Sequence, residues 1–176
     1  MTILRHLLSI LLLPFTMVVL VPRWLTRAWA ASDTRWADGS LLGWAGRGFG
    51  VLVGLVGFAL FAWCVALFAR VGRGTLAPWD PTRRLIVVGP YRHVRNPMIS
   101  GVLGMLLGQA FVLGSRVVAV WCATFVVINQ IYFVLLEEPG LVARFGEEYR
   151  AYRAAVPRWV PRARPWTGDR TPWENG

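Results

Sequence analysis

The feature that constrains this chain most is a set of long apolar runs that are almost free of charged residues. The clearest run, residues 49–69, contains no charged residue. A helix of that length, at about 1.5 Å per residue, crosses a hydrocarbon core roughly 30 Å thick. Comparable runs cover residues 3–21, 98–114 and 117–136. We therefore predict an all-α polytopic membrane protein with about four transmembrane helices.

The composition supports a membrane protein over a soluble domain. Of the residues, 56% are hydrophobic and only 16% are charged, and the charges are segregated from the apolar runs. All 19 basic residues are arginine, and the net charge is +10. Because the arginines flank apolar runs, anionic lipid head groups and the positive-inside rule account for them, and we expect no nucleic-acid partner.

Short connections and glycine spacing predict how the helices pack. The last two runs are joined by residues 114–116, a connection so short that it requires an antiparallel helical hairpin. Gly46, Gly50 and Gly54 recur every fourth residue in the second run, and Gly104 and Gly108 do so in the third. Such faces allow close approach of another helix.

The distribution of arginine predicts the orientation. Residues 70–97 carry six arginines and the tail from residue 144 carries seven, whereas residues 22–48 carry four and the hairpin tip only Arg116. The positive-inside rule places the two richest segments on the cytosolic side. With four spans, both termini are then cytosolic, and we expect the protein in the inner, plasma membrane.

The segment before the third run has the composition of a site. Asn96 and Pro97 resemble a helix start, because Asn is a favoured N-cap and Pro loses nothing at the first helical position. Arg92, His93 and Arg95 precede this helix terminus and suggest an anion site. An equally good interpretation is that the arginines only anchor lipid phosphates.

The end of the fourth run carries adjacent carboxylates, Glu137 and Glu138, which are costly beside a bilayer unless they are paired or used. Pro139 predicts the start of a new helix over residues 139–155. Its apolar and aromatic residues share one face, so it is either an amphipathic helix on the membrane surface or a wall of a site. That face comprises Leu141, Phe145, Tyr149, Tyr152 and Val156.

These motifs together resemble the isoprenylcysteine carboxyl methyltransferase family, which is related to the phospholipid N-methyltransferases. The resemblance covers residues 70–162 and depends on the order of GPYRHVRNPM at 89–98, the hairpin, the glutamate pair and FGEEYRAY at 145–152. It implies a membrane-embedded methyltransferase that uses S-adenosylmethionine and acts on a lipid or prenylated acceptor. Ile99 departs from the family pattern, in which many members have Tyr.

The chemistry of methyl transfer agrees with this resemblance and suggests roles for individual residues. Arg95 would orient an acceptor carboxylate, and Glu138 would accept a proton if the acceptor were an amine. The tyrosines supply rings that pack against adenine or a sulfonium cation. The full predicted cofactor site comprises Gly72, Gly74, Tyr91, His93, Arg95, Asn96, Pro97, Glu137, Glu138, Tyr149 and Tyr152. No metal site is predicted, since His6 and His93 lack partners at ligand spacing.

The sequence leaves the acceptor open between a prenyl-cysteine carboxylate and a phospholipid amine. A non-enzymatic lipid-binding protein that kept the fold, and a small transporter, are the alternatives from other classes. We divide the chain into N-terminal transmembrane helices (residues 1–69), a methyltransferase-like region (70–162) and a flexible tail (163–176).

Overall fold

The computed structural model describes residues 13–33, 35–36, 39–71 and 85–168, and all regular structure in these ranges is helical. A short 3-10 turn, Gly89–Arg92, precedes the third helix. The predicted all-α class is confirmed for this part of the chain. The helices are α1 (Val21–Ala28), α2 (Leu41–Val71), α3 (Pro97–Leu113), α4 (Arg116–Tyr132) and α5 (Glu138–Ala155).

Two helices among the described residues are long and apolar enough to cross a membrane. The stretch Leu41–Phe68 has a mean hydropathy of 2.6, and only 17% of its apolar window is buried within the protein. A core helix of a soluble protein would be mostly buried, so these exposed apolar faces suit lipid. The second is the continuous helix that begins with α4. Helix α3 has only 17 residues, and most of the predicted first span lies outside the described residues. The four-span topology therefore stays a prediction.

Helices α2 and α3 pack with their backbones almost in contact. A Cβ atom on Gly50 would lie 2.6 Å from the carbonyl oxygen of Gly108, and one on Gly57 would lie 2.7 Å from that of Gly101. Real Cβ atoms do not approach that closely, so both helices need glycine at these levels. The predicted glycine faces therefore meet each other, although the sequence did not identify Gly57 and Gly101 as members.

The α3–α4 connection is the predicted tight hairpin. Gly114 ends α3 in the left-handed conformation (φ 64°), and the Ser115 hydroxyl accepts a hydrogen bond from the Val118 N–H to cap α4. We call this the hairpin end of the molecule. The Trp36 indole N–H donates to the Phe111 carbonyl at this end, 2.5 Å away.

The nearest neighbour of Gly46 is the ring of Trp36. A Cβ atom on Gly46 would lie 2.6 Å from that ring, so the Trp36 indole requires a small residue at this position. Sequence spacing alone does not identify this neighbour.

Asp33 completes the hairpin end. Its carboxylate accepts hydrogen bonds from the Ser115 hydroxyl (2.6 Å) and the Val117 N–H (3.1 Å), and it pairs with Arg35 at 3.2 Å. Desolvation opposes ionisation of Asp33. The two hydrogen bonds and the charge of Arg35 together outweigh it and lower the pKa of Asp33 below its ordinary value. A carboxylate that is distant in the sequence therefore accepts the Val117 N–H in the first turn of α4.

The helix predicted over residues 139–155 is confirmed as α5, but it follows α4 without a gap. A π-helical turn, Phe133–Glu137, joins α4 to α5 without interruption. A proline lacks the N–H that an α-helix needs and crowds the carbonyl four residues earlier. In the π turn the Glu138 N–H donates to the Phe133 carbonyl, five residues earlier instead of four. This wider hydrogen-bond spacing accommodates Pro139 without interrupting the helix. A second π turn, Thr16–Leu20, precedes Pro22 in the same way.

Helix α5 is kinked and packs on protein. Gly146 has φ 54° and ψ −127° inside it, a break that the sequence analysis did not anticipate. Tyr149, Tyr152 and Val156 are buried together with Leu85. The predicted apolar face is therefore confirmed as a face, and it is covered by the segment before α3, not by the membrane surface.

Candidate functional site

The end of the molecule opposite the hairpin, which we call the site end, is closed by two antiparallel segments. Residues 156–166, which we call the strap, run beside the segment that precedes α3. The Arg95 N–H donates to the Pro157 carbonyl (2.9 Å), the Arg162 N–H to the His93 carbonyl (3.0 Å), and the Trp166 N–H to the Arg92 carbonyl (2.8 Å). These bonds fix the basic segment against the chain that follows α5.

Trp166 belongs to the region that we expected to be a flexible tail. Its ring packs 5.5 Å, between centroids, from that of Tyr152, and its carbonyl accepts a hydrogen bond from the Arg92 side chain at 2.9 Å. It is thus part of the strap. Residues 169–176 of the predicted tail lie outside the described residues.

Glu138 lies at the centre of a cluster of arginines. One carboxylate oxygen accepts hydrogen bonds from Arg95 (2.5 Å) and from both Nε and Nη2 of Arg158 (3.0 and 2.7 Å). The other oxygen lies 3.7 Å from Arg153. The Glu138 side chain is only 10% exposed. Charge-assisted hydrogen bonds of this kind are strong and directional, so Glu138 holds the strap and the α3 entrance together.

Arg95 carries the one unsatisfied polar group among the buried side chains of the described residues. Its Nε is buried and has no hydrogen-bond partner, while its Nη1 donates to Glu138. The Tyr149 phenol lies near the same guanidinium. A buried N–H without a partner costs about 1–3 kcal/mol, so this donor is suited to a ligand oxygen.

The structure separates the two glutamates that the sequence presents as a pair. Glu138 is saturated by arginine donors, whereas no hydrogen bond or ion pair from the described residues engages the Glu137 side chain. Both lie at the start of α5. The Glu137 carboxylate is therefore the member of the pair that remains available to a cationic or hydroxyl-bearing ligand.

The three tyrosines are wall residues. Tyr91, Tyr149 and Tyr152 are only 7%, 3% and 3% exposed. The Tyr152 hydroxyl donates to the Tyr91 carbonyl at 2.7 Å, which ties α5 to the 3-10 turn. Burial, and then the neighbouring Cys64, raises the pKa of the Tyr91 phenol well above its ordinary value. Their rings support the site from behind, and a stacking role against adenine stays a prediction.

His93, Asn96 and Pro97 stand at the entrance of α3. The His93 Nδ1 is 2.8 Å from the Arg162 carbonyl, so this ring nitrogen is used by the strap. Asn96 directly precedes Pro97, which takes the first helical position of α3. Asn96 therefore occupies the predicted N-cap position, but its side chain does not make the predicted hydrogen bond. The first turn of α3 keeps backbone N–H groups that no side-chain cap satisfies.

Some of the predicted site falls elsewhere, and some of the observed site was missed. Gly72 and Gly74 lie outside the described residues. Ile99 packs against the core around Val102 and Leu106. Arg153 and Arg158 contact Glu138 but were not among the predicted site residues. The sequence feature that could have identified them is the density of arginine after Glu138. We interpreted these arginines only as determinants of orientation in the membrane.

The geometry now places a basic helix entrance, a pair of carboxylates and an apolar bundle on one chain, and comparison with known proteins identifies the group. The family model described as phospholipid methyltransferase matches residues 48–148. The chain belongs to the phospholipid methyltransferase family. No curated protein matches it significantly. Solved structures likewise give no significant match.

Membership in the phospholipid methyltransferase family implies a membrane methyltransferase that acts on lipid, and such enzymes generally use S-adenosylmethionine. The matched region runs from α2 through Arg95, Glu137 and Glu138 into α5. It ends before Tyr149, Tyr152 and the strap. The match therefore confirms the broader relationship that the motifs suggested, and the isoprenylcysteine branch stays a proposal.

Proposed function

We propose that this protein is an S-adenosylmethionine-dependent methyltransferase that methylates the carboxylate of a lipidic acceptor, such as a prenyl-cysteine. The observation that carries the proposal is the buried Arg95 guanidinium at the entrance of α3. One of its N–H groups, beside the glutamate pair, has no partner in the part of the chain that the structure describes. Family membership supports the methyltransferase class, and the arginine geometry supports the carboxylate.

The residues present fit the chemistry of S-adenosylmethionine. This cofactor, when bound, supplies a methyl group on a sulfonium and bears an ammonium, a carboxylate and ribose hydroxyls. Glu137 offers a carboxylate, without a hydrogen-bonding partner among the described residues, to a cation or to hydroxyl groups. The uncapped first turn of α3 offers backbone N–H groups and a positive helix end to a carboxylate. Both features lie at the site end.

The hydrogen bonds of Glu138 favour a carboxylate acceptor over an amine. A carboxylate attacks through an oxygen that carries no proton, so no general base is required. An amine must lose a proton, and the carboxylate we predicted for that role, Glu138, already accepts bonds from Arg95 and Arg158. Arg95 would instead hold the second oxygen of the acceptor, and correct positioning would supply much of the rate.

A phospholipid amine is the second candidate acceptor, and it is compatible with membership in the phospholipid methyltransferase family. With such an acceptor, Glu137 is the remaining carboxylate in the pair to take the proton. The non-enzymatic alternative is not favoured by membership in a methyltransferase family.

Glu138 and the strap act as positioning elements in this proposal. Glu138 fixes Arg95 and Arg158, and the strap excludes water from the buried guanidinium. The lipid part of the acceptor would approach sideways from the bilayer along the exposed apolar helices. We further propose that the site end faces the cytosol from the plasma membrane, which the density of arginine in residues 70–97 and in the tail supports.

The experiment that tests this function uses purified protein in detergent with S-adenosylmethionine labelled on its methyl group. N-acetyl-S-farnesylcysteine and phosphatidylethanolamine are offered in separate reactions. A methyl ester releases its label as volatile methanol in base, whereas an N-methyl group does not. The proposal predicts base-labile label on the farnesylcysteine. Label only on phosphatidylethanolamine would establish the second candidate, and no transfer to either would contradict both.

A further inference from the structure

A cavity at the hairpin end lies far from the candidate methyltransferase site. It has a volume of about 450 Å³, within the usual range of ligand pockets. It lies between α1, the residues that follow it and the first turns of α4. Its lining consists of Leu25, Trp29, Ser32, Arg116, Val117, Val120, Trp121 and Thr124. Arg116 begins α4, and Glu138 lies at the other end of the same continuous helix, where α5 begins. The cavity is therefore separate from the candidate methyltransferase site.

The cavity is polar at one end and apolar along its length. Arg116 and Ser32 lie at the level of the hairpin, where α4 begins, and Val120 and Thr124 lie one and two turns further in. The Thr124 hydroxyl is satisfied by the Val120 carbonyl at 2.9 Å, so the deep part offers no free hydroxyl. From Arg116 to Thr124 the groove follows α4 for roughly 12 Å, less than half of a hydrocarbon core of about 30 Å.

The charge at the polar end suits an anion. Arg116 is exposed, and its side chain makes no hydrogen bond or ion pair with the described residues. Asp33, the nearby carboxylate, is occupied by Ser115, Val117 and Arg35. Because Asp33 also occupies the backbone N–H of Val117, the anion-binding group here is the Arg116 guanidinium and not the helix terminus.

The tryptophans place this end at a membrane surface. Trp29 is 47% exposed at the mouth of the cavity, and Trp24 beside it is 62% exposed. Tryptophan is enriched where the hydrocarbon meets the head groups. The opposite wall is fixed, since the Trp121 indole donates to the Met17 carbonyl at 3.0 Å. The cavity is therefore preformed and opens at head-group depth.

We propose that this cavity, the hairpin-end groove, binds one anionic phospholipid of the leaflet opposite the methyltransferase site. The phosphate would lie on Arg116, beside the Ser32 hydroxyl that donates to the Trp29 carbonyl, and the upper part of one acyl chain would follow Val120 and Thr124 inward. An amphiphile matches a groove that is charged at the membrane surface and apolar below it. Its length keeps the ligand within a single leaflet.

Native mass spectrometry of the full chain, released from nanodiscs of phosphatidylcholine with phosphatidylglycerol, tests the groove. We compare wild type with Arg116→Gln, which removes the charge, and with Val120→Trp, which fills the groove from a side chain that is 65% exposed. The matched control is Arg27→Gln, which removes an exposed arginine from the end of α1 that does not line the groove. Thermal melting confirms that each variant is folded.

The proposal predicts that wild type and Arg27→Gln retain one phosphatidylglycerol molecule, and that both groove variants retain it roughly tenfold less, equivalent to about 1.4 kcal/mol. Equal retention by all four proteins would overturn the groove. An equal loss in Arg27→Gln and Arg116→Gln, with none in Val120→Trp, would show diffuse attraction to the surface and would also overturn it.

Discussion

The guanidinium of Arg95, at the entrance of α3, lies 2.5 Å from the carboxylate of Glu138, at the start of α5, although 43 positions separate them in the sequence. Through Glu138, Arg95 is also linked to Arg158 in the strap. Three separate segments therefore meet at one carboxylate. The position and the hydrogen-bonding capacity of Arg95 both depend on this contact.

Glu138→Ala should destabilise the protein much more than Glu137→Ala. Removing the Glu138 carboxylate leaves Arg95 and Arg158 nearly buried without their anion, and breaking such a cluster costs about 3–5 kcal/mol. Glu137 has no hydrogen-bonding partner to lose among the described residues. Thermal unfolding in one detergent measures both variants, and equal melting temperatures would contradict the separation of roles.

Trp166→Ala should weaken the binding of S-adenosylhomocysteine, although we do not expect Trp166 itself to contact this ligand. The Trp166 ring packs on Tyr152, and the strap then holds Arg92 less firmly. A chain that ends after Gly168 keeps every contact described for the strap and serves as the control. Calorimetry compares the two, and unchanged affinity in Trp166→Ala would show that the strap does not position the site.

Gly101→Leu should disrupt the packing of α2 against α3. A Cβ atom at Gly101 would lie 2.7 Å from the Gly57 carbonyl oxygen, so the backbones must separate. Gly48→Leu is the matched control, because a Cβ atom there meets nothing within 4 Å. The melting temperature should fall for Gly101→Leu alone, and similar values for both variants would contradict the glycine interface.

Asp33 should make stability depend on pH in the acidic range. Its pKa is lowered in the folded protein, so its contribution is complete above the ordinary Asp pKa of about 3.9 and is lost as pH falls through the folded value. Asp33→Asn should lose about 1.5–3 kcal/mol at neutral pH. Its stability should change less than that of wild type on acidification.

The control for Asp33 is Arg35→Gln. The Arg35 side chain is 42% exposed, and an ion pair at such a site contributes about 0–1 kcal/mol. Unfolding curves at several pH values should therefore show Arg35→Gln close to wild type. A loss in Arg35→Gln as large as that in Asp33→Asn would mean that the ion pair, not the hydrogen bonds to α4, is the important contact.

The sequence predicted the elements whose signals are local. The apolar runs from residue 49 onward correspond to α2, α3 and α4, and the turn at Gly114 and Ser115 is confirmed. Hydrophobic spacing also located the buried face of α5. The π turn before Pro139 was missed, because a proline after two glutamates is equally typical of a helix start. The kink at Gly146 was missed because glycine is compatible with both a helix and a break.

The candidate site was predictable only in outline. The motifs brought Arg95 and Glu138 to attention, and the structure places them in contact. The sequence could not show that Glu138 is saturated while Glu137 has no hydrogen-bonding partner among the described residues, since that depends on Arg158, which lies 20 positions after Glu138. Nor could it show that Tyr91, Tyr149 and Tyr152 are buried walls, because burial follows from the fold of the strap.

The most direct test of the central claim is calorimetric titration of S-adenosylhomocysteine into wild type, Arg95→Gln, Glu137→Gln and Arg150→Gln. Arg150 is an exposed control on α5 that, within the described part of the chain, pairs only with the exposed Glu147. We expect wild type and Arg150→Gln to bind, and the affinity of Arg95→Gln and Glu137→Gln to be roughly tenfold or more lower. Absence of binding to wild type at millimolar concentration, or equal affinity in all four proteins, would contradict it.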